Sequence, residues 1–395
     1  MFLLHLKSRN QFRWERYGTA FAENLRVLAA SDEDTVAHPD TAAVVLERLE
    51  SGQTASLLAE FPRRLIRMKA LDESRVRDHL LLAVDGSGHL SFDHPHCPHC
   101  IRTQHTSGAV SYRHPVLVAF LVGASGMAVA TAVEFVENPA EGYDKQDCET
   151  KAFARLSLRL KELFPQTPFC LLMDALYASA QVMEICERNQ WKYCITFKES
   201  DMPALWKDAL ALHSMSPHQD HTVRHTHPSQ PDHDRTLRLR WVNDLDHQGH
   251  RCDALWQDET VGKLTHHFAH LTNWSLNADN VAASACAARQ RWRVENEGFN
   301  VLKNGGSRLA EAYGVARVDL EHAYSRNFNA AKNYFHLMLI AHLFQQLMVR
   351  GSLFASFVRE LGTWRNFARR LAEALRLNPI PHDTVIPAQI RFCTD

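Results

Sequence analysis

Residues 80–88 read LLLAVDGSG, and the reading of this stretch decides the fold. Residues 80–84 form a short unbroken apolar run, the pattern of a strand buried on both faces. The run closes on Asp85, and Gly86 and Gly88 lead the chain out of it. A carboxylate at the exposed end of a core strand is costly unless a partner, usually a cation, sits opposite. The rest of the sequence is therefore searched for residues that share the site of Asp85.

A second strand of the same kind is residues 168–173, PFCLLM, which closes on Asp174. Between the two, residues 112–123 and 127–137 predict a hairpin turned by Ser125 and Gly126, and residues 145–164 predict a helix stopped by Pro165. Residues 178–189 read as a helix and 191–197 as a fifth strand. The order β-β-β-α-β-α-β predicts an α/β mixed sheet. If the first and fourth strands are parallel neighbours, Asp85 and Asp174 lie side by side at their carboxyl ends.

Further along, residues 199–276 break this rhythm. His, Pro, Asp and Gln crowd residues 215–235, and short β-like pieces with Trp241, Trp256 and Trp274 follow. They predict a β-rich insertion with a mobile stretch at its start. Residues 277–304 predict one helix, capped by Asn277 and ended by Gly305 and Gly306. Its stripe Val281, Ala285, Ala288, Trp292, Glu295, Phe299, Leu302 keeps four- and three-residue spacing and is apolar except at Glu295. Glu297 falls about 200° round the axis and faces away. Arg291 lies on the side of Glu295.

Asp85, Asp174 and Glu295 are thus three carboxylates from three elements. Three such groups at one place do not all stay ionised without cations, and Mg²⁺ or Mn²⁺ suits oxygen donors. Two ions can clamp the attacking and leaving oxygens of a phosphodiester displacement. The plainer alternative is two unrelated strand-end aspartates and a salt-bridged helix glutamate.

The stretches LLAVDGSG, KQDCETKAF, LLMDALYAS and RWRVENEGFNVLKNGG together resemble a bacterial insertion-sequence transposase of the DDE type. The last is similar to the signature Y-x2-R-x3-E-x6-K, with Arg291 and Glu295 on its R and E. Ala288 stands at the tyrosine, and Lys303 falls one position late. The resemblance covers residues 80–342. It implies an RNase H-like core, metal ligation by Asp85, Asp174 and Glu295, and two Mg²⁺ or Mn²⁺ ions. The activity it implies is cleavage of transposon-end phosphodiesters, with transfer of the freed 3′-OH into target DNA.

The partners implied are double-stranded DNA and a second copy of the chain at synapsis. Arg291, Arg293 and Lys303 are expected on DNA phosphate, and Trp241 or Trp256 on an unpaired base, packing being the alternative for the tryptophans. A DNA-binding derivative that no longer cuts, and a nuclease of the same fold, are the competing readings. The N-terminal unit is short for that family, so part of an end-binding domain is expected to be missing.

Between the first two strands, HPHCPHCIRTQH at residues 94–105 carries a C-x2-C knuckle at Cys97 and Cys100. With His105 as third ligand and His96 or His114 as fourth, it has zinc-ligand spacing. A reduced, metal-free loop is the alternative.

Domain limits are expected at 1–77 (helical, DNA-binding), 78–198 (first part of the core, with a zinc-knuckle-like insertion at 89–113), 199–276 (β-rich insertion), 277–310 (glutamate helix) and 311–395 (helical). The basic end of the first unit, with Arg63, Arg64 and Arg67, fits either DNA contact or a solvated face. The 395 residues carry a net charge of -1, so polyanion binding must come from local patches. Nine scattered cysteines, no run of about 20 apolar residues and no cleavable leader point to a reduced, cytoplasmic, nucleoid-associated protein.

Overall fold

The structure is a computed structural model. It describes residues 1–395 apart from His5, Lys7, Asp34, 226–233, 305–326, 352–353 and 382–395, and of His89, His225, Lys303 and Asn304 the backbone only. The chain divides into two compact units. One comprises residues 1–71, 125–133 and 295–395, the other residues 72–124 and 134–294.

The first unit is largely helical, as its sequence predicts. It begins with α1 (Arg9–Glu15), α2 (Thr19–Ala29), α3 (Pro39–Arg48) and α4 (Ser51–Arg67). Pro39 opens α3 where no amide donor is needed, and His38 Nδ1 accepts from Asp40 N at 3.2 Å. The long helix Phe328–Arg350 packs on α3 and α4 and buries Tyr334, Phe335, Met338, Leu339 and Leu343. A buried polar network pins that contact. Asn333 Nδ2 donates to the Leu46 and Leu49 carbonyls at 2.8 and 2.6 Å, while Thr54 Oγ1 donates to Asn333 Oδ1 at 2.7 Å. The expected basic crowding at the end of α4 is partly neutralised. Arg63, Arg64 and Arg67 all approach the Glu60 carboxylate, at 4.0, 3.0 and 3.2 Å.

The second unit is a mixed α/β layer built on one large sheet. Its strands are β1 (Arg75–Val76), β2 (His79–Phe92), β3 (Ile101–Gln104) and β4 (Val110–Val122). After β5 (Ala128–Phe135), which runs across the division between units, come α5 (Glu149–Leu163), β6 (Phe169–Met173), α6 (Ala180–Arg188) and β7 (Lys192–Thr196). Next are α7 (Pro203–Met215), β8 (Asp220–His225), β9 (Arg235–His247), β10 (His250–Val261), β11 (Leu264–Thr272) and α8 (Val281–Arg289). The strand order is β3-β4-β2-β6-β7-β11-β10-β9-β8, with β1 beside β2.

The β2–β6 and β6–β7 pairs are parallel, as the apolar runs predict, and Leu80 to Val84 are at most 2% exposed. Val136 N donates to Pro115 O at 2.9 Å, which anchors the strand return after β5 to β4.

Three expectations about elements change. β2 does not end at Asp85: it loses β6 there but continues to Phe92 against β4. The 199–276 stretch is not a separate β subdomain, because β11 adds antiparallel to the second edge of β7 and carries β10, β9 and β8 into the same sheet. Residues 226–233 of the expected mobile stretch lie outside the described residues.

The glutamate helix is also broken. Asn277 turns the chain with its own side chain, accepting from Asp279 N and Asn280 N, and α8 starts only at Val281. Beyond Arg289 the helix unwinds, and Val294–Asn300 is a π-helix. Its wider turn throws the 3.6-residue stripe out of register. Val281, Ala285, Ala288, Phe299 and Leu302 are buried as expected, but Trp292 and Glu295 are exposed and Glu297 is half-buried. Among the described residues, no helix is long and apolar enough to cross a membrane.

Candidate functional site

The parallel ladder between β2 and β6 pairs Leu80 with Phe169 and Ala83 with Leu172. The same register carried two residues on sets Asp85 level with Asp174, the first residue after β6. Both aspartates thus follow the carboxyl end of the parallel β2–β6 pairing, the kind of place where open α/β sheets hold ligands. Past this point β2 keeps only β4 as partner, Asp85 opposite Val118.

Asp85 Oδ1 accepts from Gly86 N at 2.9 Å, and its Oδ2 faces Arg291 Nη1 at 4.0 Å. Asp174 Oδ1 accepts from Leu176 N at 2.9 Å and caps the short helix Ala175–Tyr177.

A third carboxylate of this unit joins them, and sequence reasoning missed it. Glu149 is the first residue of α5. Its Oε2 accepts from the Tyr177 hydroxyl at 3.3 Å, and its carboxylate lies so close over Gly86 that a Cβ there would collide with it. Burial pushes the Glu149 carboxyl up, and the Asp174 charge adds to the rise; the Tyr177 hydroxyl and Arg113 oppose it. Tyr177 is fully buried, and its phenol is held well above its ordinary range, first by burial and then by the charges of Glu149, Asp174 and Asp85. One hydroxyl therefore senses all three acids. The stretch KQDCETKAF contains Glu149 without singling it out, and Gly86 is a second signal, a glycine whose missing side chain makes room for a residue 63 positions away (149 − 86).

Glu295 belongs to the other unit, where it lies exposed on the π-helix, not on a buried face as expected. Arg291 Nη1 lies 4.0 Å from Asp85 Oδ2. Arg293 instead turns to main chain: its Nη2 donates to Ala124 O at 2.9 Å, and its guanidinium lies over the Trp292 ring. The Lys303 side chain lies outside the described residues.

The assignment of Trp241 and Trp256 to base stacking is corrected. Each is 4% exposed. Trp256 packs on Trp206 and Phe197, with ring centroids 5.9 and 6.5 Å apart. A ring so enclosed has no face left for a base.

His270 of β11 sets a testable acid limit. Burial, with the charges of Arg289 and Arg291, lowers its pKa to about 3. The unfolded chain titrates this imidazole near 6.5. Between those values the unfolded state binds the extra proton, so stability falls as pH falls through 6.5. The expected slope from this residue is about 1.4 kcal/mol per pH unit. Thermal melts of wild type and His270→Phe between neutral pH and pH 4 should show a shallower acid limb in the variant. Identical limbs would refute the assignment.

Away from the acids, Cys97, Cys100 and His114 bring their ligand atoms within 4.8 Å of one another. Cys97 Sγ and Cys100 Sγ lie 3.9 Å apart, and His114 Nε2 lies 3.4 and 3.3 Å from them. The thiols are free, since a disulfide needs about 2.05 Å. Burial pushes the Cys97 thiol up to about 11. This group can hold a metal ion, and among the described residues no other three Cys, His, Asp or Glu side chains converge as closely.

His105 is not part of it. Its Nε2 bonds Ser111 Oγ at 2.8 Å, while β4 brings back His114, fully buried, in its place. His96 stacks on Phe92 at 4.3 Å. No protein-family model matches the chain, and no curated protein matches it.

Proposed function

We propose that the chain is a DDE-type transposase with an RNase H-like core. It would hydrolyse phosphodiesters at DNA ends and transfer the freed 3′-OH into target DNA. The observation that carries the reading is that Asp85 and Asp174 each come two residues after the last pair, Ala83 with Leu172, of two adjacent parallel strands. Glu295 is kept as the third acid on its sequence motif alone. Asp85 and Asp174 offer only oxygen donors, the kind that a hard divalent cation takes.

Asp85 and Asp174 would hold Mg²⁺ or Mn²⁺. When bound, such ions supply Lewis-acid stabilisation of the phosphoryl charge and an activated water. Arg291, 4.0 Å from Asp85, offers a fork of donors to a phosphate oxygen. Burial, with the Asp174 charge, shifts Glu149 toward its neutral form beside the two aspartates. The Cys97, Cys100 and His114 group is a different site, read as structural zinc, because thiolate and imidazole favour zinc over magnesium.

Supercoiled plasmid carrying the DNA that flanks the coding sequence tests the reading. Joined products with Mg²⁺ support a transposase. Cleavage without joining would reduce it to a nuclease, and retardation without cutting to a DNA-binding derivative.

A further inference from the structure

We propose that the ion held by Cys97, Cys100 and His114 fixes the start of α5, and with it Glu149, on the acid face. The inference rests on reading that group as a zinc site. With zinc–sulfur bonds of about 2.3 Å and zinc–nitrogen bonds of about 2.05 Å, tetrahedral ligands lie about 3.8 Å apart for two sulfurs and about 3.5 Å for sulfur and nitrogen. The observed separations are 3.9 Å for the sulfurs and 3.4 and 3.3 Å to the imidazole. One ion fits the centre with little movement of its ligands.

The ligands come from two elements, the knuckle turn and β4. The turn has little else to hold it. From Ser91 to Cys100 only Cys100 is buried, so packing alone stabilises this loop poorly.

The α5 start leans on that turn. Asn138 is buried and ties the two together: its Nδ2 donates to Cys100 O at 2.8 Å and its main-chain N to His99 O at 3.1 Å. His99 Nδ1 returns a bond to Asn138 O at 2.8 Å. On its other side, Asn138 Oδ1 accepts from Asp147 N at 2.9 Å. Gln146 adds a second tie, accepting from Arg102 N at 2.7 Å and donating to Arg102 O at 3.1 Å. Cys148 then stands at the N-cap position of α5, without a side-chain cap bond, and Glu149 follows over Gly86. The path from the ion to Glu149 is thus a short run of named hydrogen bonds. Groups of this kind behind a metal typically change its site by 10–100-fold when lost.

The test uses full-length protein purified without added metal. About one zinc per chain is expected, with a thiolate-to-cobalt charge-transfer band after cobalt replacement. His105→Ala should keep the zinc. Absence of zinc and of the band would overturn the reading of the group itself.

The brace is tested separately by hydrogen exchange of the amides at residues 146–150. Chelation of wild type should speed their exchange about tenfold or more, on the scale of other supporting-shell losses, and added Zn²⁺ should restore protection. Asn138→Ala should keep the zinc yet lose the same protection. If the zinc is present but its removal leaves those amides unchanged, the site is real and the brace is wrong. Because the comparison is made on wild-type protein, it stands even where Cys97→Ser with Cys100→Ser fails to fold.

Discussion

Asp85→Ala and Asp174→Asn each lower Mg²⁺-dependent strand cleavage by more than about 10³-fold, because each removes a donor from the charge that stabilises the transferring phosphoryl group. The substitutions differ for a local reason. Asp174 Oδ1 caps the short helix Ala175–Tyr177, and losing a cap costs about 1 kcal/mol. Asparagine keeps an oxygen there for Leu176 N while removing the charge. Asp85 Oδ1 caps no helix and accepts from the amide of its own neighbour, Gly86, so alanine is the simpler replacement there. Both variants should keep the wild-type melting temperature closely, since each relieves repulsion from neighbouring acids.

The same assay sorts the remaining carboxylates. Glu295→Gln should match the aspartate variants and Glu297→Gln should remain nearly as active as wild type. The reverse outcome would move the third acid to Glu297. Glu149→Gln should leave cleavage within about tenfold, since Glu149 is not proposed as a metal ligand and glutamine keeps an oxygen for the Tyr177 hydroxyl. A wild-type rate in Asp85→Ala would remove the basis of the proposed function.

Particular residues show what the sequence makes legible. The apolar runs ending at Asp85 and Asp174 predict their strands because burial on both faces leaves no polar position to confuse the period. The helix Phe328–Arg350 falls within residues 311–395, which are expected to be helical. Its buried Asn333 and His336 are not legible, because they are set by the α3–α4 turn they serve.

Glu149 is invisible from its own surroundings. It looks like a first-turn helix acid, and its importance lies in a glycine on another strand. His105 and His114 show how nearness in sequence misleads. His105 sits in the β3–β4 turn, where its N–H bonds Ala109 O at 2.8 Å, and its side chain leaves the knuckle. The returning strand carries His114 to the thiols. Likewise, the stripe through Glu295 assumed one period across residues 277–304, and the π-helix broke that period where the motif lies.

Trp256→Ala lowers the stability of the sheet unit by about 3–5 kcal/mol, the usual cost of emptying a large aromatic from a core. Trp256 is 4% exposed and meets Trp206 edge-on at 5.9 Å, with His213 at the same distance on another side. It pairs across the β9–β10 ladder with Arg240, whose guanidinium is tied to Asp258 at 3.2 Å, so the surrounding strands have little freedom to collapse into the space left behind. A stacking tryptophan would behave otherwise. Its loss costs about 1–3 kcal/mol of single-strand affinity for each stacked base and little stability.

The two roles therefore separate in one pair of measurements, urea unfolding and DNA affinity at a temperature where the variant stays folded. The packing role predicts a lower unfolding midpoint with an unchanged denaturant slope and unchanged affinity. An unchanged midpoint with tenfold weaker DNA binding would return Trp256 to the nucleic-acid interface and place β9 and β10 on the DNA-facing side of the sheet.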